Sequence, residues 1–306
     1  MKIEVVLTEA EIVQELAEAV EARDLPEKFF YWSPPAVRAW LARAAAAFGD
    51  LRRAWKQLAE RPGALLESFP GVVPVISLGA GDGATDRLLL DPLRSAHRDV
   101  KYYPVDASQA LLETACAAAE DLDTETAGIK ADIASPMHLV FASDAAESPK
   151  LLLLAGNTIG GFDPLDIVKQ VAACLHGEDR WVLDAEMYQS NGSLPPDASL
   201  RHFAFAPLAA LGVSADEGEV RFEHRQDQSL AGMHVTAAHF RPDRDLRIAL
   251  PEREVLVERG ERINLNFRYR FTPEALRALL TEHAGLRILQ EVASPDGRHL
   301  LVVCSR

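Results

Sequence analysis

Hydrophobic and polar positions follow a helical spacing through residues 1–67. Thr8 has a glutamate three positions later, which is the spacing of a capping box, and Ser33 followed by Pro34 is typical of a helix start. We therefore expect a helical entry region. One helix begins after Thr8, and a second, Ala-rich one stops before Pro62-Gly63.

From residue 72 the pattern changes to short, almost continuous apolar runs that alternate with amphipathic stretches. This alternation is typical of a parallel sheet covered by helices on both faces. Asp163 followed by Pro164 predicts one of those helices, because an acidic N-cap precedes a proline at the first helical position. The predicted fold is therefore α/β and doubly wound, with strands at residues 72–78, 101–105, 150–154 and 180–183.

A polar, proline-rich segment around Ser190 separates this pattern from one of period two. Residues 232–240 and 246–250 flank a turn and predict a β-hairpin, and residues 263–271 alternate strictly, so an antiparallel sheet is expected. After it, Thr272-Pro273-Glu274 begins another helix. The tail predicts a final hairpin, formed by residues 286–293 and 299–304.

Composition and charge exclude several classes of function. The chain has 48% hydrophobic and 25% charged residues, which is ordinary for a folded soluble protein. Its net charge of -14 repels nucleic-acid phosphates and anionic membrane surfaces, so neither is an expected partner. The start resembles no secretory leader, and no apolar run is long enough to span a bilayer. The 3 cysteines form no C-x-x-C pair, which favours a reducing compartment and predicts a cytoplasmic location.

The most informative segment is Val-Ile-Ser-Leu-Gly-Ala-Gly-Asp-Gly-Ala at residues 75–84, a strand that leads into a glycine-rich turn and a helix. Gly79, Ala80 and Gly81 allow a ligand to approach the backbone, and the helix start supplies free N–H groups. Turns of this kind bind nicotinamide, flavin or adenosylmethionine cofactors, and others are purely structural. The turn alone does not distinguish these alternatives.

Acidic residues at the ends of the next strands narrow the choice. Asp106 ends the second predicted strand, where it suits hydrogen bonds from both ribose hydroxyls of an adenosine; the alternative is an N-cap for the following helix. Asp132 falls where a third strand would end, and it either contacts an adenine amino group or is a solvated loop acid. Together with the glycine turn, Asp106 predicts an adenosine-containing cofactor.

The apolar strand predicted at residues 150–154 opens onto Gly156, Asn157 and Thr158. Substrates of open α/β sheets bind at the carboxyl ends of the strands, so these residues either contact substrate or form a plain loop. No grouping of histidine, cysteine and acidic residues has metal-ligand spacing, and no motif indicates a covalent nucleophile. We therefore expect a small-molecule substrate and no metal.

Several motifs in a fixed order resemble the histidine-specific methyltransferase family. They are L-G-x-G, Tyr103-Pro-Val-Asp106-Ala107-Ser108, Gly156-Asn-Thr-Ile-Gly160, and Gly260-Glu261 through Phe271-Thr272-Pro273-Glu274. In addition, Leu25-Pro26-Glu27-Lys28-Phe29-Phe30-Tyr31 is similar to the family's Leu-Pro-Pro-Lys-x-Phe-Tyr. The resemblance implies S-adenosylmethionine as methyl donor, S-adenosylhomocysteine as product and an amino nitrogen as acceptor. It also implies a class I, Rossmann-like methyltransferase core, residues 68–190 plus 272–306, and a substrate-binding domain, residues 1–67 plus 191–271.

The resemblance assigns roles residue by residue. Those expected to bind the cofactor are Gly79, Ala80, Gly81, Asp106, Ala107, Asp132, Ile133, Gly156 and Asn157. Those expected to act in catalysis are Tyr31, Thr158 and Glu186, and Tyr31 also faces the substrate. We expect Tyr31 and Glu186 to orient or deprotonate the acceptor nitrogen, while Thr158 and Asn157 set its angle of approach.

Five positions depart from the family's pattern. Thr85 replaces a basic residue in the helix after the glycine turn, and Ser77 replaces an acid before it. Gly161 replaces the Asn that binds the amino acid end of the substrate, and Asn266-Phe267-Arg268 replaces an imidazole-binding Glu-x-Ser. We therefore predict a small amino acid or amino-acid-derived metabolite other than histidine, bound by Tyr31, Gly161, Asn266 and Arg268. Arg268 either pairs with a substrate carboxylate or lies on a solvated face.

Other functions stay open at this point. The same fold could methylate an oxygen, a sulfur or a side-chain nitrogen, or the chain could be a non-catalytic relative that binds S-adenosylmethionine. A nicotinamide oxidoreductase is disfavoured because residue 84 is Ala where G-x-G-x-x-G has its third glycine, although the looser pattern tolerates Ala. The protein is expected to be a monomer or a homodimer.

Overall fold

A mixed sheet of eight strands runs through the computed structural model, which describes residues 2–69, 71–95, 99–189, 198–251 and 253–306. The chain begins with β1 (Lys2–Val5), α1 (Glu9–Ala22), α2 (Phe29–Trp32), α3 (Pro34–Ala47) and α4 (Gly49–Glu60). It continues with β2 (Val73–Leu78), α5 (Arg87–Ser95), β3 (Val100–Asp106), α6 (Gln109–Glu120), β4 (Glu125–Lys130), α7 (Pro136–Ser143), β5 (Leu151–Leu154), α8 (Pro164–Ala173) and β6 (Arg180–Glu186).

A second set of elements follows. It comprises α9 (Ala198–Ala210), β7 (Gly218–Gln226), β8 (Met233–Pro242), β9 (Leu246–Ala249), β10 (Glu254–Val257) and β11 (Ile263–Phe271). The last elements are α10 (Pro273–Ala278), β12 (Arg287–Ala293) and β13 (His299–Ser305). The segment around Ser190 that the sequence marks as a boundary lies, at residues 190–197, outside the described residues.

The large sheet has the strand order β1-β4-β3-β2-β5-β6-β13-β12. Strands β1 to β6 run parallel to their neighbours, and the β12–β13 hairpin joins β6 antiparallel. This topology confirms the predicted α/β fold and the predicted final hairpin. The order reverses between β2 and β5, which is the point at which open α/β sheets place their ligands.

Two predictions for the entry region are corrected. Residues 2–5 are a strand rather than part of a helix, because their backbone pairs with β4 along the edge of the sheet. The Ala-rich helix is also two helices, α3 and α4, which meet at Phe48 and Gly49. The predicted caps are present: Thr8 and Glu11 form a capping box, and Ser33 accepts a hydrogen bond from the Ala36 N–H at 3.3 Å.

The antiparallel part consists of a three-stranded sheet, β11-β8-β7, and a two-stranded one, β10-β9. The predicted hairpin between residues 232–240 and 246–250 is therefore wrong. β8 pairs with β7 and β11, whereas β9 pairs with β10. The physical reason is length, because β7 and β11 offer β8 nine-residue partners and β9 has only four residues.

The strict alternation predicted for residues 263–271 is also wrong, because β11 contains a β-bulge. Leu265 and Asn266 are both buried, and the pairing register with β8 shifts between Asn264 and Phe267. Before the bulge, Leu265 packs in one hydrophobic cluster, and after it Tyr269 packs in another. A bulge adds one residue to a strand, so it exchanges the faces that later side chains occupy.

Within the described ranges, the buried hydrophobic residues form three clusters. One covers one face of the large sheet, and a second covers the other face, where Trp55 of α4 packs with Val75 and Val303. The third lies among α1, α2, α3, α9 and the small sheets. The division into a core and a substrate-binding domain stays a prediction. β1 and α4, which the sequence assigned to the substrate-binding domain, associate with the large sheet. Among the described residues, no helix is both long and apolar enough to cross a bilayer.

Candidate active site

A cavity lies at the carboxyl ends of β2, β3, β5 and β6, beneath the N-terminal helices and α9. It brings together most residues that the sequence assigned to a site. The predicted residues in its wall are Tyr31, Gly79, Ala80, Gly81, Asp106, Ala107, Asp132, Ile133, Gly156, Asn157, Thr158, Glu186 and Arg268. Gly161 and Asn266 are not in the wall: Gly161 packs behind Arg268, and Asn266 is buried in β11.

The glycine turn after β2 needs its glycines for two reasons. Gly79 and Gly81 have φ angles of 68° and 57°, which L side chains rarely adopt. A Cβ on Gly79 would lie 3.0 Å from Cγ2 of Thr158, and one on Gly81 would lie 2.9 Å from Cη2 of Trp40. The turn therefore leaves its backbone open to the cavity at a place where any side chain would fill it.

Asp106 lies beside this turn at the end of β3. Its Oδ2 accepts a hydrogen bond from the Gly81 N–H at 2.9 Å, and its Oδ1 accepts one from the Ser108 N–H at 2.8 Å. The alternative role as helix cap is wrong, because Ser108 is the N-cap of α6. Burial raises the pKa of Asp106 to about 6. Each carboxylate oxygen keeps a lone pair, so the group can still accept hydrogen bonds from two hydroxyls.

Asp132 is not a solvated loop acid, since its side chain is only 13% exposed. Lys28 lies 2.7 Å from its Oδ2 and also pairs with Glu15, and the Ala134 N–H donates to its Oδ1 at 2.9 Å. These charges raise the pKa of Lys28 although its burial opposes the rise. The pair links the N-terminal helices to the loop after β4.

The turn from Gly156 to Thr158 rests on Asp184, a residue that sequence reasoning missed. Its carboxylate is fully buried and accepts hydrogen bonds from the N–H groups of Gly156 and Asn157 at 2.8 and 2.6 Å. Trp55 Nε1 donates to the same carboxylate at 2.8 Å. Burial raises the pKa of Asp184. Its position inside β6 resembles that of any core residue, so only the folded structure identifies it.

Asn157 and Glu186 are joined across the ends of β5 and β6. The Asn157 side-chain oxygen accepts a hydrogen bond from the Glu186 N–H at 2.9 Å, and Asn157 has a left-handed φ of 56°. The Glu186 carboxylate accepts one from Arg270 Nε at 2.7 Å. Arg270 also donates to Thr236 Oγ1 at 3.0 Å. Glu186 is thus held at the cavity by β11.

Three polar side chains in the cavity wall form a cluster, which we call the Glu27–Tyr31–Arg268 cluster. The Tyr31 hydroxyl donates to Glu27 Oε1 at 2.6 Å, and Arg268 Nη2 lies 2.6 Å from the same oxygen and 2.9 Å from the Tyr31 oxygen. The side chains of Arg268 and Glu27 are 20% and 10% exposed. Arg268 is therefore paired and enclosed, so the prediction of a solvated face is wrong.

The cluster fixes the ionisation of Tyr31 and Arg268. Burial raises the pKa of the Tyr31 phenol far above its ordinary value, so the hydroxyl stays protonated. Burial alone would lower the pKa of Arg268, but the adjacent Glu27 carboxylate raises it, so the guanidinium stays charged. Tyr31 can therefore orient a neighbouring group but cannot act as a phenolate base at neutral pH.

Gly161 makes room for this cluster. A Cβ at this position would lie 2.7 Å from Nη1 of Arg268 and 3.0 Å from Oε1 of Glu27. Glu27 was missed by sequence reasoning, and the available signal was its place at the second proline of the family's Leu-Pro-Pro-Lys. Residues 27, 161 and 268 are thus three departures from the family's motifs that meet at one point.

Comparison with known proteins identifies the family. A sequence profile described as histidine-specific methyltransferase, SAM-dependent, matches residues 8–190. The chain belongs to this family. It is 27% identical over 242 residues to the histidine N-alpha-methyltransferase of Mycolicibacterium smegmatis, a match that covers 74% of this chain and 73% of that protein. The protein is therefore an S-adenosylmethionine-dependent methyltransferase, and the nicotinamide alternative is wrong.

Solved structures of similar architecture include an S-adenosylmethionine-dependent methyltransferase from Clostridium acetobutylicum. It has a TM-score of 0.46 and 14% identity, with 87% of this chain and 98% of that chain covered. A DhpI-SAM-HEP complex has a TM-score of 0.46 and 12% identity, with 98% and 100% covered.

The cavity fits this donor. The open glycine turn, the carboxylate of Asp106 beside it and the loop after β4 lie along one wall of the cavity, which is the arrangement that an adenosine requires. In the described part of the chain, no three histidine, cysteine or acidic side chains are grouped as metal ligands.

Proposed function

We propose that the protein methylates the amino nitrogen of a small amino acid, or of a metabolite derived from one, other than histidine. The observation that carries this proposal is the Glu27–Arg268 ion pair in the cavity wall. Arg268 stands where the family has the serine of its imidazole-binding Glu-x-Ser, and Gly161 stands where it has the substrate-binding Asn. The groups that recognise histidine in the resemblance are therefore absent here.

The three changes compensate one another, which supports a rebuilt pocket rather than a decayed one. An enclosed guanidinium is costly without a counter-charge, and Glu27 supplies that charge 2.6 Å away. It also needs space, and the absent side chain of Gly161 supplies it. A pocket that had lost its function would not be expected to retain three residues that compensate one another.

The pair matches the two charged ends of an amino acid. Arg268 uses Nη2 for Glu27 and Tyr31 and Nη1 for the Phe267 carbonyl, so Nε remains to donate to a carboxylate. Glu27 uses Oε1 for both of its partners, so Oε2 remains to accept a hydrogen bond from an amine. A zwitterion is therefore complementary to this wall.

When bound, S-adenosylmethionine supplies an electrophilic methyl group on a sulfonium. The acceptor amine must be neutral to attack it, so the protein must remove a proton and hold the nitrogen in line. We assign proton acceptance to Glu27, with Tyr31 as a protonated group that orients it. Thr158, Asn157 and Glu186 also line the cavity, and we assign to them the positioning of the nitrogen.

A direct test is to incubate the protein with S-adenosylmethionine and single amino acids, with histidine as the comparison, and to measure mass gains of one methyl. A preferred acceptor other than histidine, with the new methyl on the amino nitrogen by fragmentation, is the expected result. Preference for histidine would overturn the acceptor proposal and leave the donor unchanged. A methyl on oxygen, sulfur or a side-chain nitrogen would overturn the assignment of the amino nitrogen.

The free cysteines support a further part of the proposal. Cys116, Cys174 and Cys304 are all unpaired thiols, as expected in a reducing compartment. We therefore propose that the protein works in the cytoplasm. Separately, we propose that it is a monomer or a homodimer. Fractionation of the native host with detection of the protein would check the compartment, and light scattering would check the assembly.

A further inference from the structure

The donor carries a carboxylate on its methionine end, and we propose that Arg52 of α4 binds it. Thr85 lines the cavity beside the glycine turn, at the position where the family has a basic residue. A threonine supplies no positive charge. The charge must therefore come from another part of the chain, and this inference rests on the identity of the donor and not on the proposed acceptor.

The wall of the cavity makes such a charge necessary. Acidic groups line it on every side: Glu27, Asp82, Asp106, Asp132 and Glu186. These acids suit a sulfonium and an amine, but they repel a carboxylate. A carboxylate enters a site of this kind only where a cation is available to pair with it.

Most cations in the wall are already engaged. Lys28 is paired with Asp132 and Glu15, and Arg268 is paired with Glu27. Arg43 also has an interaction of its own. Arg52 differs, because its Nε is buried and has no hydrogen-bond partner among the described residues. A buried guanidinium donor without a partner is costly, which is the condition that a bound anion relieves.

The position of Arg52 on α4 is consistent with this role. It lies one helical turn before Trp55, on the same face, and Trp55 donates to the Asp184 carboxylate that holds the Gly156 N–H. α4 also packs against β13, where His299 lines the cavity. The His299 side chain is 8% exposed and its Nδ1 is likewise buried without a partner in the described structure. Arg52 and His299 thus both line the cavity, and each has one buried nitrogen without a partner in the described structure.

A comparison of two ligands distinguishes carboxylate binding by Arg52 from a general effect on the affinity of the cavity for its ligands. S-Adenosylhomocysteine has the amino acid end, and 5′-methylthioadenosine has the same adenosine and sulfur without it. Calorimetry on Arg52→Gln should show an affinity for S-adenosylhomocysteine that is lower by about 10- to 100-fold, the loss of a charge-assisted pair. The affinity for 5′-methylthioadenosine should not change.

Arg53→Gln is the matched control, because Arg53 is the next residue on α4, with a side chain that is 64% exposed and paired with Asp50. It should leave both affinities unchanged. Equal losses for the two ligands, or no loss for either, would overturn the proposal. If Arg52→Gln lowers the melting temperature of the unliganded protein, Arg52→Lys replaces it as the test. This variant keeps the positive charge but loses the guanidinium group, so only its affinity for S-adenosylhomocysteine should fall. No acceptor is present in these measurements, so their outcome is independent of the proposed substrate.

Discussion

Arg268 lies 2.6 Å from Glu27, and both side chains occupy the space that a Cβ on Gly161 would enter. The three positions lie in the segment between α1 and α2, in the turn after β5, and in β11, and they meet only in the folded protein. Their contacts are close enough for the effect of a change at one position to depend on the residues at the other two.

Gly161→Ala should lower the free energy of unfolding by about 1–3 kcal/mol, because the new Cβ overlaps the Arg268 guanidinium. The loss should shrink when Arg268→Ser is present in the same chain, since the closest overlap, that with Arg268, is then removed. Urea unfolding of the two single variants and the double variant measures this coupling. Gly71→Ala is the control, as its Cβ would meet nothing within 4 Å. Simple addition of the two single losses would contradict the overlap.

Tyr31→Phe and Glu27→Gln should differ in their effect on turnover. The Tyr31 phenol stays protonated and only orients Glu27, so its removal should lower kcat about 10-fold without changing the shape of the pH–rate profile. Glu27→Gln removes the proposed proton acceptor and should lower kcat by about 100- to 10,000-fold. Single-turnover assays with labelled donor check both values. A Tyr31→Phe variant whose rate no longer rises with pH would show that Tyr31, and not Glu27, is the proton acceptor.

Donor binding should weaken in mild acid because of Asp106. Its pKa in the unliganded protein is about 6, and we expect the ribose hydroxyls of the donor to donate to its ionised form. The affinity should therefore fall by up to about tenfold per pH unit as pH drops below about 6. 5′-Methylthioadenosine is a suitable ligand, since it lacks the amino acid end. Asp106→Asn should bind it more weakly at all pH values and without this dependence, which excludes the buried Asp86 as the source.

Asp106 also affects the free energy of unfolding, and this effect depends on pH in the opposite direction to its effect on donor binding. Its pKa is raised in the folded protein, so the unliganded fold binds a proton between about pH 4 and pH 6 that the unfolded chain releases. The contribution of Asp106 to the free energy of unfolding is therefore fully present below pH 4 and is lost as pH rises through about 6. Comparing Asp106→Asn with the wild type in urea at several pH values isolates this contribution from that of the other acids.

Asp184→Asn should destabilise the turn at Gly156 and Asn157. The carboxylate accepts from two backbone N–H groups and from Trp55, and an amide would place a donor against at least one of these donors. We expect a loss of about 2–4 kcal/mol in the free energy of unfolding. Trp55→Phe removes one donor and part of a buried ring, and it should cost about 1–3 kcal/mol. Equal stability of Asp184→Asn and wild type would contradict the role of this carboxylate.

The features that the sequence predicted are those with local causes. Apolar runs locate the parallel strands, and the glycine turn and Asp106 lie within one strand–turn–helix unit, so short segments contain the whole signal. The pairing of β8 depends on β7 and β11, which are distant in sequence, and the bulge in β11 has no residue that marks it. Glu27 and Asp184 likewise acquire their roles only through partners that folding brings to them.

The bulge in β11 bears on how acceptor preference changes in evolution. One additional residue before Phe267 decides that Arg268 faces Tyr31 rather than the opposite side of the sheet. Its loss would turn every later side chain of the strand over while the hydrogen-bonded ladder closed again. An insertion or deletion of a single codon in this strand is therefore enough to present a different set of side chains to the cavity, with the glycine turn and Asp106 unchanged.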